Sequence, residues 1–470
     1  MNSNIATRFE DAAKANPKKV VLVGPKNSFT WEELDLRAGG VALVLGEAGI
    51  GPGERVAVLF DDPVNTIVGV IGCLKKGCTV TPLHPRSTAR ERARILEVLK
   101  PAYFLENLTD AVEMYQPAVV NFNDPAIILF TSGSTGIPKG VVLSHQAVSV
   151  GLDMWIRSAL NLAKEDIMIS VLPPAHSYGL FGTILAPLLT GARSIILPRF
   201  DVALVLQAIE SNQATIFSGV ATMFRRILES GELQQSTLAS LRYATSGAAP
   251  CPWDLAQKWY KSTGVRIVRG YGMSELFRPI CYSPDDHVEL PEAIGRAAEG
   301  VELKIMDEKG NKCNLGEEGE LWIKSDSCMT KYVDNPEETA LVLQEGWFKT
   351  GDLAKINDNG WVTILGRKKD VILRGGYTIA AGEVEAVLTS HPHVEEAAVI
   401  AMPNNDLGEE IGAYVVLQEG TKTNAQTLIE FCKQKMAANK YPRIVKFIKE
   451  LPKGPTGKVE KGALSLNSKA

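Results

Sequence analysis

From residue 54 to about residue 275, short β-branched runs alternate with longer amphipathic stretches. ERVAVLF precedes NTIVGVIGCLKKG, and CTVTPLH precedes TARERARILEVLK. Further on, ARSIILP, ATIFSG and LRYATSG each lead into a helical pattern, DVALVLQAIESN, VATMFRRILES and PWDLAQKWYKSTG, before RIVRGYG. Short continuous apolar runs suit strands covered on both faces, and 3.6-residue periodicity suits the helices that cover them. The alternation predicts an α/β body with more than one parallel sheet. After residue 300 the texture changes to short strands split by turn signals: VELKIMDEKGNK, GELWIKS, and AKINDNGWVTILG with its Asn-Gly turn. That region reads as an antiparallel, β-rich subdomain. Residues 371–470 add VILRGG, a helix at GEVEAVLTS, strands EEAAVIAM and IGAYVVLQ, and a helix over NAQTLIEFCKQKMAAN. They predict a small α+β domain of ordinary size. The charged GRKKD at 366–370 marks the boundary, giving domains 1–369 and 370–470.

A chain of 470 residues is too long for one hydrophobic core, which agrees with two domains. The seven cysteines are odd in number, scattered and never spaced as CxxC, so they read as reduced and mostly structural. No apolar run approaches the ~20 residues that span a bilayer, and the polar, mixed-charge start does not look like a signal peptide. The cytoplasm is the expected compartment, with no integral membrane segment. A formal net charge of −4 gives no attraction to nucleic acid. Locally, however, residues 431–470 hold ten Lys or Arg against Glu450 and Glu460. Such a tail is either a solvated face or an attraction for an anionic partner such as CoA or an acidic carrier protein.

The most informative segment is ILFTSGSTGIPKGVVLSH, from Ile128 to His145, an apolar strand opening into Gly, Ser, Thr and Lys. Gly133 and Gly136 let backbone N–H groups approach an anion, Thr131, Ser132, Ser134 and Thr135 offer hydroxyl donors, and Lys139 adds positive charge. The Walker pattern fails, because Lys139 follows Pro138 and leads into the β-type run VVLSH rather than a helix. The loop therefore joins strand to strand. A dinucleotide fingerprint is also missing, since no GxGxxG follows a strand and opens a helix.

TSGSTGIPKG resembles the phosphate loop of the acyl-adenylate-forming (AMP-binding) superfamily, which includes acyl-CoA synthetases, peptide-synthetase adenylation domains and luciferases. YGMSE at 271–275, TGD at 350–352, GRKKD at 366–370 and GPTGKVEK at 454–461 follow in the superfamily's order. The resemblance implies an acid–thiol ligase that joins a carboxylic acid to AMP and passes the acyl group to CoA or to a carrier protein's phosphopantetheine. It implies ATP and Mg2+, with Glu275 as the magnesium ligand, a hard carboxylate for a hard cation. Tyr271 would lie against adenine, with Ser246, Gly247, Ala248 and Ala249 of SGAAP walling the pocket. Gly272, Met273 and Ser274 complete the motif, Ser274 donating to the α-phosphate or the acid. Asp352 would hold the ribose with Arg367 nearby, and Lys458 would bridge the acid carboxylate and the α-phosphate as charge develops. His176 occupies the place of a residue near the reacting carboxylate.

The same resemblance implies a small C-terminal domain that turns about a hinge at Asp370, withdrawing Lys458 and presenting a thiol-facing loop at Gly375, Gly376 and Tyr377. This chain departs from the pattern at Ala380 and Ala381, where many relatives have a proline, and at Lys331, where many have glycine before Tyr332. The departure at 331–340 implies no function of its own. Amino-acid-activating relatives place an Asp in the stretch matching HSYGLFG, and none stands here, so an α-amino acid is not expected. Pocket segments 176–181, 218–223, 246–250 and 271–281 are mostly apolar, which puts an aliphatic acid first, an aromatic acid second and a diacid third. The diacid would need Arg278 to point inward, whereas the expectation is that it faces solvent. A thiol-independent adenylate-forming enzyme and a silent nucleotide-binding protein are the readings from other classes, and retention of Lys458, Glu275 and Asp352 speaks against the second.

Overall fold

The computed structural model describes residues 3–131, 138–287, 290–374, 377–453 and 459–466. The chain divides into two compact units, Met1–Glu302 with Ile323–Phe348, and Leu303–Trp322 with Lys349–Ala470.

Among the described residues the first unit carries two large sheets with the expected helices. In one, Ile267–Val268, Tyr243–Ser246, Ile216–Gly219, Ile167–Ser170, Arg193–Ile196 and Val20–Val23 run parallel in that order, and Ser28–Thr30 closes the edge antiparallel. Helices Ala221–Glu229 and Trp253–Thr263 follow their strands as the periodicity demands. Their inward residues meet the sheet: the Phe224 ring lies edge-on to Phe217 at 5.3 Å and to Trp259 at 5.0 Å. The other sheet runs Lys331–Tyr332, Lys139–Ser144, Pro125–Thr131, Thr79–Pro82, Arg55–Val58, Tyr103–Leu105. Its helix Pro63–Lys76 shows why the ends fall where they do. Asp62 accepts from the Val64 N–H at 2.9 Å, Pro63 takes the first turn, and Gly77 stops the helix at φ 79°. Helix Trp31–Glu47 begins in a capping box, with Thr30 and Glu33 each accepting from the other's N–H.

In the second unit, residues 352–356 of the strand Trp347–Ile356 pair antiparallel with Val362–Arg367 around a turn in which Asn357 Oδ1 accepts from the N–H groups of Asn359 and Trp361 at 3.0 Å, and Gly360 takes φ 78°. Tyr377–Ala380, Val371–Arg374, Gly408–Leu417 and Val394–Asn404 form a further sheet, with Ile444–Phe447 added parallel to Gly408–Leu417. Alternation along these strands buries both faces. Val399, Ile411, Ala413 and Val415 pack on helices Ala381–Thr389 and Ala425–Lys435 through Val384, Leu388, Leu428 and Cys432. Ala398, Ile400, Met402, Tyr414 and Val416 pack on Leu451 and Leu464. The pattern NAQTLIEFCKQKMAAN reads as helix to residue 439, but the helix ends at Lys435, because Met436 turns extended and packs against the first of these cores. The expected boundary at 369/370 falls inside this unit.

All seven cysteines are free thiols. Burial pushes Cys281 and Cys432 up to about 11 and Cys78 and Cys328 up to about 12, so these four are neutral. Among the described residues no helix is long and apolar enough to cross a membrane.

Candidate active site

In the first unit, the strands on either side of the phosphate loop are antiparallel partners, with Thr131 opposite Lys139, so the loop does join strand to strand. Its Ser132, Gly133, Ser134, Thr135 and Gly136 lie outside the described residues. Lys139 Nζ sits 2.6 Å from Glu338 Oε2 and 5.4 Å from the centre of the Tyr332 ring.

Tyr271 ends a two-residue strand, Gly270–Tyr271, that pairs with Ile280–Cys281, making YGMSELFRPIC a hairpin. Gly272 cannot be replaced freely, because a Cβ there would stand 1.8 Å from the Phe277 carbonyl oxygen. Met273 and Leu276 exchange backbone hydrogen bonds of 3.2 and 3.3 Å, which puts Ser274 and Glu275 at the tip. Met329 N–H donates to the Glu275 carbonyl at 2.8 Å, and the Tyr332 hydroxyl donates to Glu275 Oε1 at 2.9 Å. Burial, then the Glu275 charge, push the Tyr332 phenol up, so it remains a donor. Glu275 and Lys139, from motifs more than a hundred residues apart, thus meet on one tyrosine ring. Tyr332 and Glu338 are the residues that the sequence reading missed. They lie in the stretch 331–340 to which it assigned no function. The available signal was Asn-Pro-Glu-Glu, which starts the helix Pro336–Val342 and fixes Glu338 in its first turn.

Ser246 ends the strand Tyr243–Ser246, and its buried Oγ has no partner among the described residues. Gly247 packs against the Tyr178 ring, and Ala248 is held at φ 63°, a left-handed conformation that costs a non-glycine residue about 1–2 kcal/mol and clusters at functional sites. Ala249 is exposed. His176 is half-buried with its ring 5.8 Å from that of His84. Burial, helped by Arg86, lowers His84 below the usual histidine range. Arg278 corrects an expectation: it does not face solvent but is 3% exposed, with its guanidinium 5.0 Å from the centre of the Trp155 ring.

In the second unit, Asp352 and Arg367 stand directly opposite one another on paired strands, Arg367 Nε lying 2.7 Å from Asp352 Oδ1. The Asp352 side chain is only 5% exposed, and its N–H donates to Thr350 Oγ1 at 3.0 Å. Asp370 ends a short 3-10 turn 3.5 Å from Lys461 Nζ, which also pairs with Glu385 at 2.7 Å. Tyr377 is 58% exposed and Leu373, on the neighbouring strand, 59%. Gly375, Gly376 and Lys458 lie outside the described residues, though Lys453 and Val459, on either side of the Lys458 segment, bridge antiparallel. Ala381 is the first residue of its helix, a position that accepts proline, and Ala380 offers it no side-chain cap.

The family model of the AMP-binding enzyme matches residues 9–119 and 106–333, and that of the AMP-binding enzyme C-terminal domain matches 383–458. The chain is 35% identical to a long-chain-fatty-acid–CoA ligase of Bacillus subtilis (strain 168), across 97% of this chain and 93% of that one. It is 29% identical to a medium-chain fatty-acid–CoA ligase of Escherichia coli (strain K12), across 98% and 89%. Among solved structures, ATP-bound MatB from Rhodopseudomonas palustris superposes with a TM-score of 0.94 at 30% identity, covering 100% of this chain and 99% of that one. The anthranilate CoA ligase AuaEII with anthranoyl-AMP superposes at 0.92 and 25% identity, covering 100% and 98%. With the fold, the ordered motifs and both family models in agreement, the chain belongs to the AMP-binding enzyme family and is an acid–thiol ligase of the acyl-CoA synthetase type.

Proposed function

We propose that this ligase activates a carboxylic acid without an α-ammonium group, fatty or otherwise, and transfers it to CoA in the cytoplasm. In the first half-reaction a carboxylate oxygen attacks the α-phosphorus of ATP and pyrophosphate leaves. The hydroxyls of Thr131, Ser132, Ser134 and Thr135, with Lys139, hold the departing phosphates, and Lys458 offsets the charge that builds between acid and α-phosphate. Tyr271 and the 246–249 wall take adenine, and Asp352 with Arg367 takes the ribose. His176 lies beside the acid.

Magnesium fits the residues present. Glu275 Oε1 is oriented by Tyr332, and its second oxygen has no partner among the described residues. One carboxylate suits an ion that keeps several waters and is otherwise held by substrate phosphates. When bound, the ion supplies countercharge to the phosphates. In the second half-reaction a thiol attacks the acyl carbonyl carbon, the bond to AMP breaks, and AMP leaves. Rotation about Asp370 would exchange Lys458 for the thiol path along Gly375, Gly376 and Tyr377.

The observation that carries this reading is the Lys139–Glu338 and Tyr332–Glu275 cluster, which joins the phosphate loop to the YGMSE motif in one polar site. The alternative acceptor, the phosphopantetheine of a carrier protein, draws on the basic 431–470 stretch, which suits an acidic carrier as well as CoA. Acid-dependent exchange between pyrophosphate and ATP, run with magnesium and no thiol across fatty, aromatic and dicarboxylic acids, tests adenylation and narrows the acid. Offering CoA or a pantetheinylated carrier then decides the acceptor. Failure of every acid to support exchange, while ATP still raises the melting temperature, would overturn catalysis.

A further inference from the structure

Arg278 is a buried cation without a countercharge among the described residues. It follows the YGMSELF turn, where its NH2 nitrogen donates to the Val268 carbonyl at 2.9 Å and its guanidinium lies over Trp155 at 5.0 Å. Among the described residues its buried Nε and NH1 nitrogens have no hydrogen-bond partner, and no carboxylate pairs with it. Three titratable groups that feel its charge are Tyr178, Tyr243 and Cys281. Burial pushes all three up, so each is neutral and none supplies a negative charge. The backbone nevertheless makes room for the group. A Cβ at Gly270 would stand 2.2 Å from Arg278 Nε, so glycine at that position is what admits the guanidinium.

The location places this cation among the segments read as the acyl pocket. Trp155 stacks on Tyr178 at 5.4 Å with the rings 8° from parallel, and Tyr178 packs beneath Gly247 of SGAAP, two residues after His176. Arg278, Trp155, Tyr178 and Gly247 therefore form a continuous stack, in which Arg278, Tyr178 and Gly247 belong to segments read as the acyl pocket and Trp155 bridges them. Both aromatic residues lie in π-helical turns, Trp155–Ala159 and Tyr178–Leu185, a conformation that concentrates at functional sites. A buried cation is costly unless an anion meets it, and a planar guanidinium with two unsatisfied N–H edges matches a carboxylate.

We propose that Arg278 binds a second carboxylate on the acid, so that the enzyme's substrates are dicarboxylic acids of which one end is adenylated. The proposal rests on the ligase reading and specifies its substrate class. Pyrophosphate exchange is measured with C3 to C10 dicarboxylic acids and the monocarboxylic acids of matching length, using the full chain and the variants Arg278→Gln and Arg278→Lys. The wild type should favour one diacid over its matched monoacid by about 100-fold or more in kcat/KM, because a site built around a buried polar group rejects the analogue that leaves it unpaired. Arg278→Gln should erase that preference mainly through KM, and Arg278→Lys should keep part of it, since the charge remains and the bidentate fork is lost. An ATP-induced rise in melting temperature confirms that each variant is folded. Equal use of monoacids and diacids by the wild type, or an unchanged preference in Arg278→Gln, overturns the proposal. Should no acid support exchange, calorimetry of the same diacids with the wild type and Arg278→Gln still decides: tighter binding of a diacid, lost in the variant, upholds the anion site while the catalytic reading fails, and equal binding refutes it.

Discussion

Tyr332→Phe removes one atom from the site and leaves the rest in place. The ring still lies under Lys139, whose Nζ is 5.4 Å from its centre, while the 2.9 Å hydrogen bond to Glu275 Oε1 disappears. A hydrogen bond to a charged group contributes about 1.5–3 kcal/mol. At about 1.4 kcal/mol per decade, kcat/KM for adenylation should fall about 10- to 150-fold. With Glu275 in its proposed role of magnesium ligand, loss of its outer-shell partner independently predicts about 10- to 100-fold. The loss should be largest at low magnesium, because what the hydroxyl supplies is the orientation of Glu275. Pyrophosphate exchange across a magnesium titration measures this, with the melting temperature as a control for folding. Combining Tyr332→Phe with Glu275→Gln should cost little more than Glu275→Gln alone. Activity within twofold of wild type at every magnesium concentration would refute the coupling.

His145 should make stability pH-dependent. Burial pushes this histidine down to about 4, against a weaker opposing pull from Asp124, and its Nδ1 accepts from the Ile5 N–H at 3.1 Å. The unfolded chain therefore takes up a proton first as pH falls, so stability present above about pH 6.5 is lost toward pH 4, by about 3 kcal/mol in all. Urea midpoints between pH 4 and 7 should fall more steeply for wild type than for His145→Gln, and equal slopes would contradict the assignment. Lys458→Ala should nearly abolish adenylation yet largely spare thioester formation from supplied acyl-adenylate, and Gly376→Trp should do the reverse by blocking the thiol path. Stopped assays of the two half-reactions check both, and equal loss in each would sink the division of labour.

Much of the architecture was already legible in the chain. Apolar runs alternating with amphipathic ones predicted parallel strands and their helices because burial on both faces, or on one, leaves a period in the sequence. Pro138 followed by VVLSH announced that the phosphate loop closes a strand pair, and the turn at 357–360 set the hairpin register that places Asp352 opposite Arg367. These features depend on neighbours a few residues apart. The tertiary structure decided the rest. Tyr332 reaches Glu275 across 57 residues and Lys139 reaches Glu338 across 199, partnerships that no local pattern encodes. Arg278 looked like surface because arginine usually is, and only its packing against Trp155 and Gly270 shows it buried. The helix from Ala425 ends at Lys435 because Met436 has a core to enter. Period and turn chemistry are written along the chain, whereas which distant side chains share a site depends on how the finished sheets and helices pack.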